Sequence, residues 1–159
     1  MQSISIPRRE VLKQGAHLGV LALFVAAGWR PSQAWAQEWN KSAFDTKTVA
    51  DAAKALGGTA PAPTQGVNWG TTPDIAENGA VVPIRITSSL PKTESIAVLV
   101  EKNPNVLAAN FEFPAGTDPS LAVNVKMGQT SKVYALVKAD GKYFVAEKEI
   151  KVTLGGCGG

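Results

Sequence analysis

Short apolar runs separated by turn residues dominate the chain from about residue 78 onwards, a pattern typical of β-strands. The candidate strands occupy residues 80–89, 94–102, 106–114, 121–127 and 131–154. Pro83 places the first of them at a sheet edge or a bulge, because proline cannot donate to a strand ladder. The second is apolar along most of its length, which predicts a strand buried on both faces.

The segment 131–154 is the clearest unit in this half, because Asp140-Gly141 is a strong hairpin turn signal. Its first strand places Val133, Ala135 and Val137 on one face and Tyr134 and Leu136 on the other. Its last strand has an apolar row that Lys148 interrupts, formed by Phe144, Ala146, Ile150, Val152 and Leu154. These strands predict a mostly β protein with an immunoglobulin-like β-sandwich, and a small barrel is the alternative.

A helix is predicted over residues 43–58, started by Asp45 or Ser42 and ended by Gly57 and Gly58. Its apolar face combines Phe44, Val49, Ala52, Ala53 and Leu56. Residues 59–73 are rich in proline and glycine, which predicts a loop that wraps over the domain and holds Trp69 against it. Apolar residues on both strand faces leave two alternatives, a partner protein or this helix and loop as the cover.

The N-terminal residues 1–36 have the three parts of an export signal. Arg8 and Arg9 form a basic region, an apolar run of about ten residues follows, which is too short to span a bilayer, and Ala34-Trp35-Ala36 offers a cleavage site. The paired arginines resemble a twin-arginine signal, with the ordinary secretory route as an alternative. The predicted organisation is therefore a cleaved signal over 1–36, a helix and loop over 37–73, a β-sandwich over 74–154 and an arm over 155–159.

Cleavage at this site changes what the charge implies. Residues 1–36 contain four basic and one acidic side chain, so the formal net charge of +3 falls to zero. A neutral protein has no basic excess for nucleic-acid or membrane-surface binding. His17, the single histidine, is removed as well. Without histidine, and with no cofactor or metal motif, the mature chain is predicted not to be an enzyme.

The segment GGCGG at residues 155–159 contains the single cysteine, Cys157. Gly155, Gly156, Gly158 and Gly159 predict a thin, mobile arm that a narrow channel in another protein admits. The nearest cation, Lys151, is six residues away, so nothing close in sequence activates the thiol as a catalyst. An exposed, unactivated thiol suits a handle on which other enzymes act. The alternatives are an incidental surface residue and a disulfide-linked homodimer through Cys157.

These features together resemble the SoxY family, the sulfur-carrier subunit of the periplasmic Sox thiosulfate-oxidising system. The resemblance rests on the twin-arginine-like signal, a helix ending in LGG, a β domain and GGCGG at 155–159. It implies a periplasmic, non-catalytic carrier without cofactors, which holds sulfur intermediates covalently on Cys157. It also implies a SoxZ-like partner subunit and transient partners SoxAX, SoxB and, where present, SoxCD. The alternative is an exported interaction protein whose tail cysteine forms an intermolecular disulfide.

Overall fold

Residues 40–58 and 60–153 are described by the structure, a computed structural model, and all of them belong to one unit. The predicted export signal and the GGCGG segment lie outside the described residues. The helices are α1 (Lys41–Phe44) and α2 (Val49–Ala55). The strands are β1 (Ala62–Pro63), β2 (Val67–Asn68), β3 (Ile75–Ala76), β4 (Val82–Ser88), β5 (Thr93–Val100), β6 (Leu107–Glu112), β7 (Ser120–Val125), β8 (Ser131–Ala139) and β9 (Lys142–Val152).

Two sheets form an immunoglobulin-like β-sandwich, as the strand pattern predicts. The larger sheet has the order β1-β9-β8-β5-β6, and β3 also pairs with β9. The smaller sheet has the order β2-β4-β7. Apolar side chains from both sheets pack into one cluster, the sandwich core, which includes Ile84, Leu121, Val98, Val137 and Ile150.

Strict alternation of buried and exposed residues along β4 explains how the smaller sheet closes the sandwich. Val82, Ile84 and Ile86 are buried, and the residues between them are exposed. The proline between them, Pro83, is tolerated because β2 pairs with β4 only at Thr87 and Ser88. At Pro83 the strand therefore has one neighbour, β7, which confirms the predicted edge position.

The prediction that β5 is buried on both faces is confirmed. Ile96, Val98 and Val100 lie in the sandwich core. Ala97 and Leu99 face the other way, into a second cluster that we call the helix-side core. This core also contains Leu136 of β8 and buried alanines from the two helices. The helices therefore cover this apolar outer surface of the larger sheet, one of the two alternatives that the sequence leaves open.

The predicted single helix over 43–58 is wrong in one respect, because the structure has two helices. The side chain of Asn40 accepts from Ala43 N at the start of α1, and Thr48 caps α2 by accepting from Asp51 N. Neither Asp45 nor Ser42 is an N-cap as predicted, and Asp45 is instead the C-cap of α1. The predicted apolar face is confirmed, since all five of its residues belong to the helix-side core.

The predicted loop over 59–73 contains two short strands, β1 and β2, where the described residues resume after 59. Its prediction as a covering segment is confirmed, because Trp69 packs against the sandwich core. Thr72 joins the loop to β4, since its Oγ1 accepts from Arg85 N at 2.8 Å and donates to Arg85 O at 3.0 Å. The Thr72 hydroxyl therefore pairs with both the N–H and the C=O of Arg85, which the backbone of a neighbouring strand would otherwise bond.

The hairpin between β8 and β9 forms at the predicted turn. Asp140 and Gly141 have φ values of +50° and +72°, the left-handed conformation that a tight two-residue hairpin requires. The predicted faces of both strands are confirmed for the described residues. Val133, Ala135 and Val137 lie in the sandwich core, whereas Tyr134 and Leu136 belong to the helix-side core.

Candidate functional site

The predicted carrier arm, residues 155–159 with Cys157, lies outside the described residues. The structure does describe the point at which the domain leads into this segment, because β9 is described as far as Val152 and is followed by Thr153. We call residues 151–153 the arm root. The contacts around the arm root define the described part of the candidate site.

The arm root extends beyond the hairpin partner of β9. The last pair between β8 and β9 joins Ser131 to Ile150. Beyond that pair, β8 provides no backbone acceptor, and Val152 N donates to the side-chain hydroxyl of Thr130 instead, at 3.0 Å to Oγ1. One edge of the arm root is therefore held by a threonine hydroxyl rather than by backbone.

The opposite edge of the arm root is held by the short parallel strand β3. Lys151 N donates to Asp74 O at 2.9 Å, and Thr153 N donates to Ala76 O at 3.1 Å. Backbone N–H groups of the arm root thus point alternately to the two edges, and each has a partner. These bonds hold every described residue of the arm root against the domain.

The segment containing β3 is itself attached to both sheets. Lys148 of β9 donates from Nζ to Thr72 O at 2.9 Å and pairs with the carboxylate of Asp74 at 3.0 Å. Further along, Met127 N donates to Gly79 O at 2.7 Å. A Cβ on Gly79 would lie 2.3 Å from Met127 O, so only glycine fits this approach. These contacts fix the surface beside the arm root.

The side chains on this surface are mixed in character. Ile75, opposite Lys151 in the β3–β9 register, is 58% exposed, and Val81 is 54% exposed. Asp74, Glu77 and Lys151 are exposed and polar around them. One exposed apolar side chain, Ile75, therefore lies beside the arm root among exposed charged groups.

Two carboxylates with a lowered pKa lie at the other end of β9. A hydrogen bond from Lys138, followed by one from Gly141 N, lowers the pKa of Glu94. A hydrogen bond from Lys92 likewise lowers the pKa of Asp140 in the hairpin turn. Residues 142–150 of β9 separate this turn from the arm root, a distance of about 30 Å at the usual strand rise. These charges therefore stabilise the hairpin turn.

Within residues 40–58 and 60–153, no group of three or more His, Cys, Asp or Glu side chains has the arrangement of a metal site. No helix in this part of the chain is long and apolar enough to cross a membrane.

The sequence predicts an arm but does not reveal the residues that hold its root. Thr130 lies in a stretch of turn residues. The strand β3 is two residues long, too short to show the alternation of apolar and polar residues that predicts a strand. The one available signal is Lys148, whose charge interrupts the apolar row of β9. A lysine in an apolar row indicates that its ammonium group has a polar partner. The sequence does not show which loop provides that partner.

Comparison with known proteins gives one family. The model for "Sulfur oxidation protein SoxY" matches residues 52–157, more than half of the chain. The matched region covers the last four residues of α2, the β-sandwich and the segment up to and including Cys157. No curated protein sequence matches the chain.

Among solved structures, the chain is similar to the sulfur carrier protein SoxY from Chlorobium limicola f thiosulfatophilum. The two are 28% identical with a TM-score of 0.57, over 65% of this chain and 96% of that chain. A superoxide reductase (neelaredoxin) from Ignicoccus hospitalis is 19% identical with a TM-score of 0.47, over 63% and 87% of the two chains. The latter similarity is too low to carry an argument about activity.

Proposed function

The chain belongs to the SoxY family of sulfur oxidation proteins, and from this premise we propose that it carries sulfur intermediates covalently on the thiol of Cys157. The observation that carries the proposal is the extent of the family match, which ends at Cys157 itself. The family is one of carriers in the periplasmic Sox system. The proposed role is accordingly non-catalytic: the protein holds the intermediate and presents it to enzymes that supply the chemistry.

The proposed loading step forms a bond between Cys157 Sγ and the outer sulfur of thiosulfate. The thiol loses its proton, and two electrons leave the pair of sulfurs, so an oxidant must accept them. In the Sox system the c-type cytochrome SoxAX is that oxidant. The product is a cysteine thiosulfonate, which keeps the negative charge of the sulfone group and exposes it at the end of the arm.

The proposed unloading step is hydrolysis by SoxB. Water attacks the sulfone sulfur, sulfate leaves with the oxygen of water, and a persulfide remains on Cys157. Where SoxCD is present, it oxidises this remaining sulfane sulfur. The chain itself contributes the attachment atom and the glycines Gly155, Gly156, Gly158 and Gly159, whose lack of side chains suits passage through a narrow channel.

The geometry of the described domain supports a carrier in one respect. Hydrogen bonds fix the described chain at Thr153, and Cys157 is the fourth residue after it. At about 3.3–3.6 Å per residue, the reach is at most about 14 Å. A SoxZ-like subunit as constant partner, twin-arginine export with cleavage after Ala36, and location in the periplasm complete the proposal.

The test is the intact mass of the protein purified from cells given reduced sulfur, measured with and without reductant. We expect mass additions in sulfur or thiosulfonate units on the peptide containing Cys157, removed by reductant. In the matched variant Cys157→Ser, we expect no addition and complete loss of sulfur oxidation, with an unchanged circular dichroism spectrum. Sulfur oxidation retained by this variant, or a wild type carrying only an intermolecular disulfide, contradicts the carrier role and favours an interaction protein.

A further inference from the structure

Asn78 and Gly79 form the single Asn-Gly pair of the sequence. In such a pair the backbone nitrogen of the glycine attacks the side-chain amide carbon of the asparagine, because no glycine side chain obstructs the approach. Ammonia leaves, a succinimide ring closes, and water then opens the ring to aspartate or to isoaspartate. Asn78 is exposed to water. The chemistry for deamidation is therefore present, and it needs neither an enzyme nor an oxidant.

Hydrogen bonds hold this pair in a turn before β4. The side-chain oxygen Asn78 Oδ1 accepts from Ala80 N at 2.9 Å, and the backbone oxygen Asn78 O accepts from Val81 N at 3.3 Å. On the next residue, Gly79 O accepts from Met127 N at 2.7 Å. The side-chain amide that must react and the two peptide groups that flank the Gly79 Cα therefore all have partners in the folded turn.

Close packing leaves Gly79 little room to move. It is buried, and a Cβ on it would lie 2.3 Å from Met127 O and 2.8 Å from Val152 Cγ1. Ring closure requires the Asn78 side chain and the following peptide group to rotate toward each other. That rotation displaces Gly79 from its contacts, so the turn must open before the ring closes.

We propose that Asn78 is a deamidation site that the folded turn protects, and that isoaspartate formed there during an opening prevents the turn from closing again. Isoaspartate adds one carbon to the main chain, about 1.5 Å, directly before the closely packed Gly79. The bond from Met127 N to Gly79 O is then lost, and with it a contact of Val152 in the arm root. Aspartate, the other product, keeps the main-chain length and an oxygen that accepts from Ala80 N, so it leaves the turn closed.

The first test is the rate of deamidation of the full mature protein at neutral pH, measured by mass spectrometry of the peptide that contains residue 78. We expect the rate in the folded protein to be at least about tenfold lower than in concentrated guanidinium chloride. At denaturant concentrations below the unfolding transition, this rate and the hydrogen-exchange rate of the Met127 amide should rise in parallel, because both require the same opening. Equal deamidation rates in folded and denatured protein, or no deamidation in either, overturn the proposal.

The second test separates the inserted carbon from the added charge. Protein deamidated in denaturant is refolded and purified by ion exchange, and its isoaspartate content is measured with an isoaspartyl methyltransferase. The matched control is Asn78→Asp, which has the same charge on a normal main chain. We expect the Met127 amide to exchange at least about tenfold faster in the isoaspartate form than in this variant, which keeps the wild-type rate. An isoaspartate form with wild-type exchange at Met127 shows that the turn closes in spite of the extra carbon and contradicts the proposal.

Discussion

At the scale of single residues, Lys148 shows how a polar side chain on an apolar face is used. It interrupts the row of β9 that otherwise faces the sandwich core, and its side chain is 21% exposed. The ammonium group donates to Thr72 O and pairs with Asp74, whose carboxylate is mostly exposed. An ion pair with one exposed partner contributes little by itself. Its effect is positional, since it holds the loop before β3 against β9.

Gly79 is the residue in this region with the least tolerance for change. An added Cβ would lie 2.3 Å from Met127 O and 2.8 Å from Val152 Cγ1. We expect Gly79→Ala to lower the free energy of unfolding by about 2–3 kcal/mol, since the backbone must move to relieve the overlap. Urea denaturation followed by circular dichroism measures this change.

Gly128 provides the matched control for this prediction. An added Cβ there meets nothing within 4 Å, so Gly128→Ala is expected to change the free energy of unfolding by less than about 0.5 kcal/mol. Equal effects of the two substitutions would mean that the contact between Gly79 and the Met127 carbonyl does not constrain the fold.

At the scale of elements, the long strands and the hairpin are predictable because their signals are local. Asp140-Gly141 specifies its turn by backbone preference alone, and β4 shows its buried face by alternation. The strands β1 to β3 are two residues long, and each pairs with a strand that does not follow it directly in sequence. The break after α1 was missed because the apolar face continues across it, while Asn40 and Thr48 cap two separate helices.

The hairpin turn between β8 and β9 carries a prediction about pH. Glu94 accepts from Gly141 N at 2.8 Å and pairs with Lys138 at 2.6 Å. These bonds lower its pKa below the ordinary 4.5. A carboxylate with a lower pKa in the folded state stabilises the fold above its ordinary pKa. That stabilisation is lost as pH falls through the folded pKa.

We expect acid to loosen this turn in the wild type and to do so less in Glu94→Gln, which keeps the shape and loses the charge. The measurement is the protection of the Gly141 amide against hydrogen exchange, corrected for intrinsic rates, from about pH 6 down to about pH 3. Asp140, whose pKa Lys92 lowers, retains part of the dependence in the variant. Glu149→Gln, at an exposed position of β9, keeps the wild-type profile. A pH dependence identical in all three proteins excludes the role of Glu94.

At the scale of the whole molecule, the sequence predicted the sandwich and left open what covers its apolar outer surface. Composition could not decide, because Leu99 and Leu136 are as compatible with a partner protein as with the chain's own helices. The structure places α1 and α2 there. The arm at 155–159 lies outside the described residues and stays a prediction. Cys157 is its proposed attachment residue, and the proposed function also depends on other proteins.

The two cores share β5 and β8, so we expect the helices and the sandwich to unfold together. Leu99 of β5 is fully buried in the helix-side core, and its neighbour Val98 is fully buried in the sandwich core. Leu99→Ala is therefore expected to lower the free energy of unfolding by about 2–5 kcal/mol, from lost burial and the remaining cavity. Hydrogen exchange should show the same decrease for the Ala53 amide in α2 and the Ile84 amide in β4. Ala108→Ser, at an exposed position of β6, should change neither. A decrease confined to α2 would mean that the helices open separately from the sandwich, and that the covered surface of the larger sheet becomes accessible without unfolding of the domain.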